Sequence, residues 1–196
     1  MNSARRSKHI ATYYHGSITG GIAALEPRSL LHGSGERVVY LTDSLPYALF
    51  YIWDEEYNHA REKYVTGGIR DGIAFYEEHF PHQLEAFYRG VSGYVYHMDT
   101  DVVHALPNQP RLFYASEAVA VTGQTFIPDV YDALLASESA GELRILRYTE
   151  QSPSRQNELT EMIAAYIRQQ QFFMQNKEQR AFMQRYFAAA WALAER

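Results

Sequence analysis

Two short segments bring together residue types that can handle a flat, polar ligand: Tyr14-His15-Gly16-Ser17 and Val38-Val39-Tyr40-Leu41-Thr42-Asp43-Ser44. Either ring nitrogen of His15 can make a directional hydrogen bond. Gly16 lets a ligand come close to the main chain, where a Cβ would stand in the way. Tyr40, inside an apolar run, offers an aromatic face and a hydroxyl. If the two segments are adjacent strands, an imidazole and a phenol converge, a pairing that suits a heterocycle joined to a ribose. The same residues also have plainer uses, His15 as a turn cap and Tyr40 as an amphipathic core residue.

Other chemistries lack their residues. The chain has no Cys, which excludes disulfides, cysteine nucleophiles and thiolate metal sites. Among its eight His, His79 and His82 are three apart, but Pro81 disfavours one helix presenting both. No His-Glu-x-x-His motif occurs, so no metal site is expected. Gly33-Ser34-Gly35 is too short for a serine-hydrolase nucleophile motif, and Gly90-Val91-Ser92-Gly93 misses its spacing. No glycine-rich turn ends in Gly-Lys-Ser or Gly-Lys-Thr, which excludes a P-loop.

With these segments the chain resembles the ADP-ribosyltransferase superfamily, in its His-Tyr-Glu branch. Tyr14-His15-Gly16-Ser17 is similar to that family's first-strand ligand motif. Tyr40-Leu41-Thr42-Asp43-Ser44 with Leu45-Pro46-Tyr47-Ala48-Leu49 is similar to its second strand and following helix. The specific similarity covers the first third of the chain. It implies NAD as substrate, with His15, Gly16, Ser17, Tyr40 and Thr42 binding it. His15 would hold a ribose hydroxyl, on either the adenosine or the nicotinamide side, and Tyr40 would stack on nicotinamide. Glu117, in Phe113-Tyr114-Ala115-Ser116-Glu117-Ala118-Val119, is the closest match to the family's later-strand carboxylate. In that role it would stabilise positive character at the anomeric carbon. Ala115 stands where the family's Gln-x-Glu or Glu-x-Glu form has its first residue, which argues against arginine side chains as acceptors.

The implied activity is transfer of ADP-ribose to an acceptor that the sequence does not name and that could be a protein. Water as acceptor would make the chain an NAD glycohydrolase. An inactive relative, keeping the cleft for NAD binding or protein interaction, and a non-enzymatic domain assembled through C-terminal helices remain the other readings.

The elements that must position these residues alternate along most of the chain. Strands are expected over 10–15, stopped by Gly16, and over 38–42. Ser44 could cap the next helix, with Pro46 in its first turn, and Leu45, Ala48, Leu49, Ile52 and Trp53 form one apolar stripe. Helices are expected over 71–78, from Pro81 to Tyr88, and over 128–136. Further strands are expected over 93–98, 112–121 and 143–148. From about Gln156 the pattern is helical, with Leu159, Met162, Ile163, Tyr166 and Ile167 on one face. Aromatic residues from Phe172 to Trp191 follow. These helices favour core packing or a contact with another subunit or a regulatory partner.

The expected fold class is α+β: an ADP-ribosyltransferase-like split mixed β-sheet with flanking helices, one domain over 1–196 with a C-terminal helical extension over 156–196 packed on it. The 46% apolar content, with 16 Tyr and 10 Phe, is enough to build such a core. The net charge of -5 argues mildly against a broad nucleic-acid surface. No apolar run approaches the roughly 20 residues of a membrane span. Arg5, Arg6 and Lys8 are not followed by an apolar signal core. A cytoplasmic location is the default expectation, and signal-independent export would look the same.

Overall fold

The first described strand is covered on both faces: Tyr13 and Gly16, which alternation sends to opposite sides, are both buried, and Tyr14 and His15 between them are partly covered. A computed structural model describes residues 11–31, 33–52, 66–171 and 177–196. It is mixed α+β. The main sheet has seven strands, with the path β11-β7-β1-β4-β9-β8 and β3 attached to β4. Its members are β1 (Ala11–Ser17), β3 (Ser29–Leu30), β4 (Arg37–Thr42), β7 (Gly93–Thr100), β8 (His104–Ala105), β9 (Leu112–Ala115) and β11 (Gly123–Ile127).

All the pairings in this sheet are antiparallel. The parallel contribution to the mixed sheet expected from sequence lies elsewhere, where β12 (Leu143–Leu146) runs parallel to β6 (Ile73–Glu77), itself antiparallel to β5 (Gly67–Arg70). A third, two-stranded sheet joins β2 (Ala24–Leu25) to β10 (Val119–Ala120).

The join between β1 and β4 is narrow. β1 is in register with β7 along its whole length, from Ala11–Thr100 to Ser17–Tyr94. With β4 it is in register at Tyr14–Thr42. Where β4 begins, its partners are instead Ser29 and Leu30 of β3. The sheet is therefore two halves that part beyond Tyr14.

Six α-helices are described: α1 (Leu45–Leu49), α2 (Gln83–Tyr88), α3 (Val130–Ser139), α4 (Pro153–Gln169), α5 (Lys177–Tyr186) and α6 (Ala188–Ala194). One apolar cluster joins Leu49, Phe50 and Ile52 around α1 to Leu134 of α3, Ile163 and Ile167 of α4, and Phe182 and Trp191 near the C-terminus. The C-terminal helices thus share the core that supports the β1 side of the main sheet. Their ends are tied by polar groups: Arg168 donates to the Leu193 and Ala194 carbonyls, and the Arg155 fork holds Glu77 of β6. A second cluster, with Tyr13, Val39, Leu41, Tyr96 and Met98, covers the opposite sheet face.

Several elements differ from the sequence reading for identifiable reasons. The expected helix over 71–78 is a hairpin strand, because Asp71 and Gly72 take φ of 53° and 77°. Positive φ at both central residues is the tight-turn geometry that returns one strand on its neighbour. Gly16 does not stop β1, since β7 pairs straight past it at Val95. The stretch 112–121 breaks into β9 and β10, which join different sheets. The helix after Ser44 is short, and Trp53, Phe172 and Phe173 lie outside the described residues. Among the described residues no helix is long and apolar enough to cross a membrane.

Candidate functional site

The two motif segments lie on adjacent strands, and they touch. The His15 Nδ1 atom is 3.0 Å from the Tyr40 carbonyl oxygen, a hydrogen bond that bridges β1 and β4 just where they part. The imidazole thus links the two strands where the β1–β4 register ends.

Alternation then separates the two rings. Because Tyr14 faces Thr42, alternation along each strand puts Gly16 and Tyr40 on their face and His15 and Leu41 on the other. Leu41 and Tyr13 belong to the second apolar cluster, whereas Tyr14 packs against the first. Tyr40 accordingly shares the α1 face with Tyr14 and Gly16, while His15 leaves from the other face. The expected convergence of both side chains on one ligand surface is replaced by contact through the main chain.

Near Tyr40, just past α1, stands Tyr51. Burial first, and then the neighbouring Tyr47 and Tyr40 phenols, push the Tyr51 hydroxyl well above its ordinary range. The Tyr47 and Tyr51 hydroxyls are 3.0 Å apart. Tyr40 is half-buried, its hydroxyl donates to the Leu30 carbonyl at 3.1 Å, and its cross-strand neighbour is Tyr114. Tyr51 was not among the residues singled out from sequence. Its signal was there in the i, i+4 spacing from Tyr47.

Gly16 is required for packing. A Cβ built there would collide with the Ala48 carbonyl oxygen of α1. The close backbone approach expected for a ligand is thus made by α1. Ser17 Oγ accepts from the Thr19 amide at 3.1 Å, a local turn bond. Thr42 is buried, its hydroxyl donating to the Arg111 carbonyl at 2.9 Å and accepting from the Ser44 amide at 3.0 Å. Ser44 stands at the N-cap of α1, but its side chain does not make the expected capping bond.

Glu117 is exposed, in the bend between β9 and β10 and not within a strand. It lies two residues beyond Ala115, whose cross-strand partner is Val39. That puts it past the end of the sheet near the start of β4, on the side where β1 finishes at Ser17.

Arg111 was also missed from sequence. Its Nε donates to Asp43 Oδ1 at 2.6 Å, and its two terminal nitrogens donate to the Gly72 and Asp43 carbonyls at 2.7 and 2.9 Å. Its φ is 63°, in the left-handed region. It pins the Thr42–Ser44 turn to the β5–β6 hairpin and so fixes where α1 starts. Comparison with family models, curated proteins and solved structures gives no match to this chain.

Proposed function

We propose that the chain binds NAD and cleaves its nicotinamide–ribose bond, passing ADP-ribose to an acceptor. The observation that carries this reading is the adjacency of the two motif segments, bridged by the His15 ring and the Tyr40 carbonyl, with the Tyr47–Tyr51 phenol pair near Tyr40. Phenol rings gathered beside a strand edge suit a flat ring held by its faces. In this reading the nicotinamide sits with Tyr40 and Tyr51. The ribose extends past the seam between β1 and β4, and His15 serves by holding the Tyr40 main chain from the other face. As the C–N bond breaks, its electron pair leaves with nicotinamide. The anomeric carbon becomes cationic until an acceptor oxygen or nitrogen bonds to it and releases its proton to solvent. Glu117 would favour that cationic state over bound NAD, and so accelerate the step.

One observation favours a second reading, an NAD-binding module without turnover: Glu117 stands in an exposed bend, where water weakens the field of a carboxylate. Calorimetric titration with NAD, followed by chromatography for nicotinamide, separates the two. Saturable binding with nicotinamide release supports the transferase or, with water as acceptor, the glycohydrolase. Binding without release across several acceptors supports the module. Absence of NAD binding removes both.

A further inference from the structure

A cleft of about 400 Å³ opens between the turn after β4, the tip of the β5–β6 hairpin and the connection from α3 to β12. Its walls include Tyr14, Asp43, Ser44, Ile73, Arg111 and Glu142. Gly72 and Gly141 border it, both at φ 77°, with open space where a Cβ would stand.

The polar groups are unbalanced. Arg111 already donates to Asp43 Oδ1, Asp43 O and Gly72 O, so the guanidinium is engaged by the cleft's own wall. Asp43 and Glu142 are carboxylates, which only accept. The Ser44 hydroxyl oxygen is buried without a hydrogen-bond partner, in a residue 1% exposed. Leaving such a group unpaired is unfavourable, and a ligand hydroxyl that reached it would remove the deficit. Leu45, Pro46 and Ile73 add apolar surface beside the Tyr14 ring.

We infer that this cleft is a binding site for a neutral, hydroxyl-rich ring of sugar size. Acceptors in excess call for hydroxyl donors, the apolar wall and Tyr14 suit the C–H face of a ring, and the volume lies within the range of small-ligand sites. Two carboxylates against one paired guanidinium disfavour a phosphate. This inference does not depend on the NAD reading, since it concerns different side chains and a different ligand.

The test is amide NMR of the full chain titrated with D-ribose, methyl β-D-glucopyranoside and D-ribose 5-phosphate, without NAD. Saturable shifts at Ile73, Gly141 and Glu142 are expected with at least one neutral sugar, and weaker ones with the phosphate. Ser44→Ala should weaken that binding by about tenfold while leaving the protein folded and no less heat-stable, because the lost hydroxyl has no partner in the protein. Glu142→Gln, at an exposed position, should also weaken it. Three outcomes would overturn the inference: no shifts with either neutral sugar, shifts indifferent to both substitutions, or phosphate binding as tight as ribose binding. Because no assay step uses NAD, a failure here leaves the Tyr40–Tyr51 reading standing, and the reverse holds.

Discussion

Tyr40 has two possible contributions that mutation can separate. Its ring lies near the Tyr51 phenol and its strand position faces Tyr114, while its hydroxyl donates to the Leu30 carbonyl. If the ring is what NAD uses, Tyr40→Phe keeps most of the affinity and Tyr40→Ala loses it, as calorimetry on folded protein will report. Equal affinity in all three proteins would remove Tyr40 from the site. Glu117 is simpler because it is exposed and outside any strand. Glu117→Gln should leave the melting temperature unchanged and, if the carboxylate stabilises the ribosyl cation, lower nicotinamide release by about 100-fold with little change in NAD affinity. Matching rates in the two proteins would refute that role.

At the scale of elements, the turn from β4 into α1 is the joint on which the site depends. It is held by Thr42 within the turn and by the Arg111 fork from β9's edge. Truncating Arg111 removes three hydrogen bonds made by a charged donor, and Arg111→Ala should lower unfolding free energy by about 1–3 kcal/mol. Arg111→Gly loses the same bonds but relieves a left-handed backbone, so it should be less damaging than Ala by about 1 kcal/mol. Urea denaturation of both variants checks the order, and Gly at least as destabilised as Ala would contradict it. The α1 contact adds a second constraint, since Gly16 leaves no room for a side chain against Ala48.

At the scale of the whole molecule, the acid limb of stability should carry a signature of His79. Burial first, and the Arg155 charge second, hold its imidazole down to about 4, from an ordinary value of 6.5. The unfolded chain then takes up this proton at higher pH than the native protein does. The stabilisation is complete above pH 6.5 and is lost progressively as pH falls through 6.5 towards about 4. Urea midpoints measured at several pH values should fall less steeply for His79→Gln than for the natural chain over that window. Parallel slopes would show that His79 is proton-accessible in the native state. The C-terminal helices contribute to the same core, as Ile163, Phe182, Met183 and Trp191 pack in one cluster with Phe50 and Tyr76.

Local periodicity determined much from sequence alone. The apolar run around Tyr40 is a strand, Gly93 onward is a strand, Pro46 opens a helix, and the chain from Gln156 to Gln169 is helical. These depend on propensity and alternation within a few neighbours. The sequence also paired the His15 and Tyr40 segments, which do lie side by side. What it could not supply was parity. Which face each ring leaves depends on the register of β1 against β4, set by Tyr14 meeting Thr42, and a shift of one residue would exchange the faces. Arg111 entered the site through long-range pairing, 68 residues from Asp43 along the chain, whereas Tyr51, just past α1, had a local signal in its spacing from Tyr47. The hairpin at Asp71–Gly72 read as a helix because helix and strand both tolerate Ile-Ala-Phe-Tyr; pairing with β5 and β12 decided it. Chain-local chemistry chose the residues, and long-range pairing chose where their side chains point.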